Sequence, residues 1–322
     1  MQALRVENSD LRLLDVCVPN AEANNEALVR VLKSGVCNTD LEIARGYSGF
    51  QGTIGHEFIG VVESAEDAPQ LVGKRVVGEI NVGCGECNVC KSDDARHCPR
   101  RTVLGIKERD GAHAEFLTLP VRNLFEVPDK VSNDEAVFVE PLAAAFGITE
   151  QIEIFPETRV AIVGDGKLGN LCAQALALKS KNVFLIGKHA EKLALLSQSN
   201  VETILLESTE KLSKTFDVAV EASGAASGFA TALNLLKPRG KLVLKSTFQG
   251  TTNLEMWRVV VDEISIVGSR CGRFAPALRL LADKKIAVEH LVSEEFPLRD
   301  AVCAMRRAEE SGVMKVFLAN TN

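Results

Sequence analysis

Apolar positions fall into two textures along this chain. In the first third they come in short β-branched runs broken by glycine and other turn residues, as in Ala27–Leu32, Phe58–Glu63 and Lys74–Val77. Such runs predict strands of a β-rich region. From about Gln151 the pattern changes. Arg159–Val163 predicts a short apolar strand, and Leu168–Leu178 carries helical periodicity. Strand Asn182–Ile186, helix Ala190–Ser197, strands Glu202–Leu206 and Phe216–Glu221, helix Ser227–Leu236 and strand Lys241–Lys245 are predicted next. Strands alternating with helices imply βαβ units, a parallel sheet and the α/β class. The last forty residues are mixed again: strand Val292–Phe296, helix Leu298–Ser311 and strand Lys315–Leu318, read as rejoining the first region.

A chain of 322 residues is long enough for two domains. Its net charge of −6 and the lack of a broad Lys/Arg cluster argue against nucleic acid as a partner. The one basic stretch, Arg96 to Arg101, lies inside a cysteine loop. No apolar run reaches the ~20 residues of a membrane helix. The first residues mix charges instead of following a basic-then-apolar leader pattern. The expected location is the cytoplasm, where nine cysteines stay reduced.

Four of those cysteines, Cys84, Cys87, Cys90 and Cys98, lie within GCGECNVCKSDDARHC. Thiolates at this spacing suit a tetrahedral zinc ion, and Gly83 and Gly85 let the loop turn around it. Four protein ligands fill the coordination sphere, so the expected site is structural and the chemistry must lie elsewhere.

Gly164, Gly166 and Gly169 form G-x-G-x-x-G between a predicted strand and a predicted helix. That context marks a dinucleotide fingerprint, with Gly164 for the tight turn, Gly166 for approach of the pyrophosphate and Gly169 for close helix packing. Lys167 and Leu168 open the helix whose N–H groups would face the phosphates. About 20 residues on, where an acid would hold the ribose of NAD, stand Gly187, Lys188 and His189. With no acid there, Lys188 can neutralise a 2′-phosphate and His189 can add a hydrogen bond. This charge argument favours NADP over NAD. Against it, Lys188 could be merely a solvated helix-start residue.

Three pieces of the first region carry metal-binding chemistry: Cys37 in GVCNTD, His56 and Glu57 in GHEF, and Glu140 in VEPLAAA. A catalytic zinc takes three protein ligands and leaves one position open. Taken singly, each residue has an ordinary structural alternative.

Together and in this order, GVCNTD, GHEF, the cysteine loop, DGAHAEF, VEPLAAA and the glycine motif resemble the zinc-containing medium-chain dehydrogenases, which oxidise alcohols, polyols, threonine and sugars. The resemblance implies a GroES-like β-rich catalytic domain over 1–142 and 285–322. A Rossmann doubly wound parallel sheet over 143–284 would interrupt it, with the active site in the cleft between them. It implies catalytic zinc on Cys37, His56 and Glu57, with Glu140 as fourth ligand or acting through zinc-bound water. Structural zinc would sit on Cys84, Cys87, Cys90 and Cys98. Thr39 would take the alcohol proton, and Asp40 would hold the second nitrogen of His56 or cap a helix. Ser223, Ser269 and Arg270 would complete the cofactor site, Arg270 being either a phosphate partner or exposed. Glu140 and Glu42, the latter standing where many relatives carry His, lean toward the polyol and sugar branch. His113 replaces a more usual aromatic. A homodimer or homotetramer is implied as well. The expected reaction is hydride transfer between a secondary alcohol, polyol or sugar and NADP. The alternatives are a zinc-independent quinone or enoyl reductase on the same fold, which lacks this cysteine and histidine set, and a non-catalytic nucleotide-binding protein.

Overall fold

The computed structural model describes residues 1–8, 10–21, 25–197, 199–247 and 251–320. Contacts divide the chain into two units, Met1–Glu140 with Phe274–Asn322, and Pro141–Arg273.

The first unit is built on a seven-stranded sheet. Across it run Leu124–Glu126, Arg75–Gly78, Glu57–Ser64, Glu26–Gly35, Lys315–Ala319 and Val292–Pro297, with Phe116–Pro120 also pairing Glu26–Gly35. The C-terminal strand Lys315–Ala319 lies between Glu26–Gly35, to which it is antiparallel, and Val292–Pro297, to which it is parallel. Residues near the end of the chain therefore complete a sheet begun near its start. Buried and part-exposed positions alternate along Glu26–Val31, as expected for a strand with one covered face. Two register shifts interrupt its ladder with Glu57–Ser64, which lets the far ends of both strands be buried on either side. Leu4, Val36, Leu41, Ile43, Ile54, Met305, Val316 and Leu318 form one core. Phe138 stacks edge-on against Phe317 at 5.8 Å. The predicted helix Leu298–Ser311 is instead a 3-10 turn, Leu298–Asp300, followed by helix Ala301–Ala308.

The second unit is a six-stranded, wholly parallel sheet. Its order is Val201–Leu205, Asn182–Gly187, Arg159–Val163, Phe216–Glu221, Leu236–Leu244 and Ser265–Gly268. In chain order this reads 3-2-1-4-5-6, the doubly wound arrangement, whose order reverses beside the first strand. Helices Lys167–Ala177 and Ala226–Leu235 cover it, so the central strands are apolar on both faces. Phe184 and Phe216 meet edge-on at 5.2 Å, with the Arg159 guanidinium 5.0 and 5.2 Å from the two rings. Two predicted elements differ. Helix Ala190–Ser197 is one α-turn, Ala190–Leu193, and a 3-10 turn, Ala194–Leu196. The fifth strand begins at Leu236, five residues before the predicted start, with a register shift before Lys241. Pro238 has no N–H to give a ladder, so the strand crosses it as an irregularity that sequence pattern reads as a break.

Candidate functional site

In the first unit, one ligand atom each from Cys37, His56 and Glu57 lies within 4.8 Å of the others. Each is placed by a different local device. Cys37 caps helix Asn38–Ala44, with its own N–H donated to Asp40 Oδ2 at 2.8 Å. His56 ends the loop before strand Glu57–Ser64, and Glu57 opens that strand.

Asp40 is fully buried beneath them. Its Oδ1 lies 3.2 Å from His56 Nδ1 and accepts the Gly55 N–H at 3.2 Å, while its Oδ2 lies 3.4 Å from His113 Nε2. Burial works against the charge, yet the two imidazoles hold this carboxyl well below the usual range. For His56, burial opposes protonation, but Asp40 and Cys37 raise its pKa well above the ordinary value. His113 is fully buried, with Nδ1 at 2.9 Å from Ser34 Oγ. It braces Asp40 and offers no ring to a substrate.

Thr39 Oγ1 lies 3.8 Å from Cys37 Sγ. Glu140 stands outside the three-residue group but feels the charges of His56 and Glu57. Desolvation, reinforced by Glu57 and Glu79, pushes its carboxyl up to about 7. Glu42 pairs with Arg45 at 2.9 Å.

One participant escaped the sequence reading. Lys315 is fully buried, pairs with Glu57 Oε2 and donates to the Val36 carbonyl at 3.3 Å. It lies 258 residues from Glu57. The available signal was its place on the same strand face as Phe317.

Cys84, Cys87, Cys90 and Cys98 form the second cluster. Their sulfurs pair at 3.9 Å (Cys84–Cys90) and 3.7 Å (Cys87–Cys98). Four ligands at about 2.3 Å in a tetrahedron place sulfurs about 3.8 Å apart, so the cluster fits a zinc ion. The Cys84 N–H points at Cys98 Sγ (3.5 Å), and Arg100 Nη2 donates to Cys84 Sγ at 3.3 Å. Backbone N–H groups of Glu86 and Cys87 lower the Cys84 thiol to about 6, whereas desolvation pushes Cys90 up to about 11. Of the remaining cysteines, Cys172 and Cys271 are buried as small apolar residues would be, but Cys17 and Cys303 are exposed.

In the second unit the glycine motif follows the central strand Arg159–Val163. A Cβ on Gly169 would lie 1.8 Å from the Gly164 carbonyl oxygen, so helix and turn fit only without one. Around Gly166 the space is open, as phosphate approach requires. Lys167 and Leu168 form the first turn of helix Lys167–Ala177. Ser223 Oγ turns back to Glu221 Oε1 at 2.6 Å. Ser269 is buried against Lys245 (3.4 Å), which also holds the Arg270 carbonyl (3.3 Å). Lys188 is exposed.

The expectation of no acid beside Gly187, Lys188 and His189 needs correction. No carboxylate follows the second strand in sequence, but Asp165 of the glycine loop reaches across to it. Its Oδ2 accepts the Lys188 N–H at 2.7 Å and the His189 N–H at 2.8 Å, and lies 3.0 Å from His189 Nδ1.

Two family models match this chain: "Alcohol dehydrogenase GroES-like domain" over residues 23–129 and "Zinc-binding dehydrogenase" over 168–283. An L-threonine 3-dehydrogenase of Coxiella burnetii is 30% identical, with 86% of each chain covered. The chain belongs to the zinc-binding alcohol dehydrogenase family. It is an oxidoreductase with the GroES-like and Rossmann folds of that family. Another relative, the erythritol/L-threitol dehydrogenase of Mycolicibacterium smegmatis, is 29% identical over 90% of this chain and 89% of its own. Among solved structures, a putative zinc-binding dehydrogenase from Sinorhizobium meliloti 1021 bound to NADP superposes with a TM-score of 0.88. It is 26% identical, covering 99% of this chain and 98% of that one. Family members of this kind act on alcohols and polyols. No helix among the described residues is long and apolar enough to cross a membrane.

Proposed function

We propose that this dehydrogenase transfers hydride between a secondary alcohol of the polyol or sugar class and NADP. Cys37, His56 and Glu57 would hold a catalytic zinc, and the four clustered cysteines a structural one. The observation that carries the reading is the convergence of the Cys37 thiol with the imidazole and carboxylate of the neighbouring pair His56 and Glu57, within 4.8 Å. This donor set suits zinc, and the pair of sequestered histidines on one buried carboxylate is the expected support for such a ligand. Bound there, zinc would act as a Lewis acid that acidifies an alcohol hydroxyl and polarises a carbonyl.

The protein's own residues would do the rest. Thr39, beside Cys37, would take the hydroxyl proton while passing its own on toward solvent, and both transfers would reverse in the other direction. Asp40, whose Oδ1 lies 3.2 Å from Nδ1, would keep His56 oriented and leave Nε2 for the metal. Glu140, whose carboxyl is raised chiefly by burial, would serve as a fourth ligand or act through water bound to the metal. In the second unit, the open face of Gly166 and the first turn of its helix would take the pyrophosphate, and exposed Lys188 the 2′-phosphate. Domain roles follow: residues 1–142 with 285–322 catalytic, 143–284 dinucleotide-binding, in a cytoplasmic enzyme.

Metal analysis and a substrate panel test this reading. The expected result is about two zinc ions per chain and NADP reduction with polyols, abolished by chelation. A protein that binds no metal, or whose turnover survives chelation, does not act this way.

We read the assembly as a homodimer. Among the described residues the edge strand Ser265–Gly268 pairs on one side only, and Val260, Val261, Met256, Trp257 and Ile266 near it are exposed. An open edge next to an apolar surface suits a second copy about a two-fold axis, because antiparallel pairing of one strand with itself is self-complementary. Sedimentation should show a dimer or its multiple, and Val260→Glu with Ile266→Lys should shift it toward monomer. A monomeric wild type ends the idea.

A further inference from the structure

The acid that the second strand lacks arrives from the first loop, and its setting is specific. A Cβ on Gly187 would lie 2.3 Å from Asp165 Oδ2, so only glycine at the strand end admits this carboxylate. Once inside, Asp165 is almost fully buried and ties three donors at once: the N–H groups of Lys188 and His189 and the ring Nδ1 of His189. The ring remains partly exposed, its side chain 37% accessible. An imidazole held at Nδ1 turns Nε2 the opposite way, away from the carboxylate. Lys188, on the same clamped turn, is exposed. The turn thus presents one ammonium and one oriented imidazole, with the Asp165 carboxylate drawn inward and hydrogen-bonded and Glu191 on the first turn of the helix that follows.

We infer that Asp165 is a positioning residue for cofactor choice: it sets the His189 ring and the Lys188 backbone so that the turn selects a dinucleotide carrying a 2′-phosphate. The inference rests on the dinucleotide reading of this loop. Two effects of the carboxylate oppose each other. As a bare charge near an anionic phosphate it would weaken NADP binding. As a clamp on His189 it would strengthen NADP binding by giving the phosphate a pre-oriented donor. Burial and three N–H partners blunt the first effect, so the second should dominate. The sign of one substitution separates them.

The test is equilibrium binding of NADP and of NAD, followed by fluorescence, for wild type, Asp165→Asn, His189→Ala and the double variant. If Asp165 acts through His189, Asp165→Asn lowers NADP affinity about tenfold. NAD affinity stays within about threefold. His189→Ala gives a similar loss, and the double variant loses little more than either single one. A rise in NADP affinity in Asp165→Asn, or additive losses in the double variant, overturns the inference. Should Asp165→Asn not fold, His189→Ala decides alone, because an unchanged NADP-to-NAD ratio in it has the same force. The wild-type ratio is a separate result. A wild type preferring NAD defeats the NADP reading, while the shift in the variants still judges Asp165. A wild type that binds neither nucleotide ends both.

Discussion

Replacing Cys37 by Ser should reduce kcat/KM by about a thousandfold or more, equivalent to about 4 kcal/mol of lost transition-state stabilisation, and should remove one of two bound metal ions. Serine keeps the volume and the backbone of the residue. The Cys37 N–H can still meet Asp40 Oδ2, and helix Asn38–Ala44 keeps its start. What changes is the ligand atom, from a soft thiolate to a hydroxyl that binds zinc poorly. Circular dichroism and thermal midpoint should therefore stay near wild type while metal content falls. Replacing Cys84 by Ser tests the opposite corner. That loop owes its shape to four convergent sulfurs and the N–H groups aimed at them. Loss of its metal should lower the thermal midpoint and raise protease sensitivity, yet leave kcat of the surviving enzyme close to normal. If Cys37→Ser retains two metals per chain, or loses less than about tenfold in kcat/KM, the first cluster is not the catalytic centre.

These two clusters differ in how openly the sequence displays them. The cysteine loop brings its ligands together within fifteen residues, so spacing alone declares it. The glycine motif is similarly local, and the strands around it are continuous apolar runs because both faces of the parallel sheet are covered. Cys37 and His56 meet only through the sheet and its bulges. No spacing rule brings them together, and their pairing became readable only through resemblance to a family. Other side chains close on partners that sequence spacing does not display, some of them near in the chain and some distant. Glu42, standing where many relatives carry His, pairs with Arg45 one turn away. Ser223 and Ser269, expected at the cofactor site, make hydrogen bonds to Glu221 and Lys245 that no local pattern displays. The acid of the cofactor turn was sought 20 residues past the glycines and was inside the glycine motif itself. Strand Leu236–Leu244 begins five residues before the expected Lys241, because neighbouring strands hold the irregular segment around Pro238 in place.

Lys315 shows most clearly what sequence pattern hides, and its replacement should have the largest effect on stability. A lysine opening a C-terminal strand reads as solvated. Here its side chain is fully buried, with Glu57 and the Val36 carbonyl as partners and the Phe138 ring 5.7 Å away. Burial lowers its tendency to hold a proton, but Glu57 and Cys37 more than offset this and keep its pKa raised. Lys315→Met preserves length and apolar packing but leaves the Glu57 carboxylate buried without its cation. Breaking a buried pair from one side costs about 3–5 kcal/mol, which lowers the thermal midpoint by roughly 4–7 °C in a protein of this size. Glu57→Gln alone strands the ammonium and should be destabilising as well. Joined in one chain, the two substitutions leave no orphan charge, so the double variant should be clearly more stable than the sum of the singles predicts. Metal adds a second signature. If Glu57 lends an oxygen to zinc, the ion partly replaces the missing ammonium in Lys315→Met, and chelation should widen the stability gap between this variant and wild type. Thermal melts of the four proteins, with and without chelator, measure both quantities. Additive losses would mean that Lys315 and Glu57 do not form an energetically coupled pair, and a gap indifferent to chelation would remove Glu57 from the ligand set.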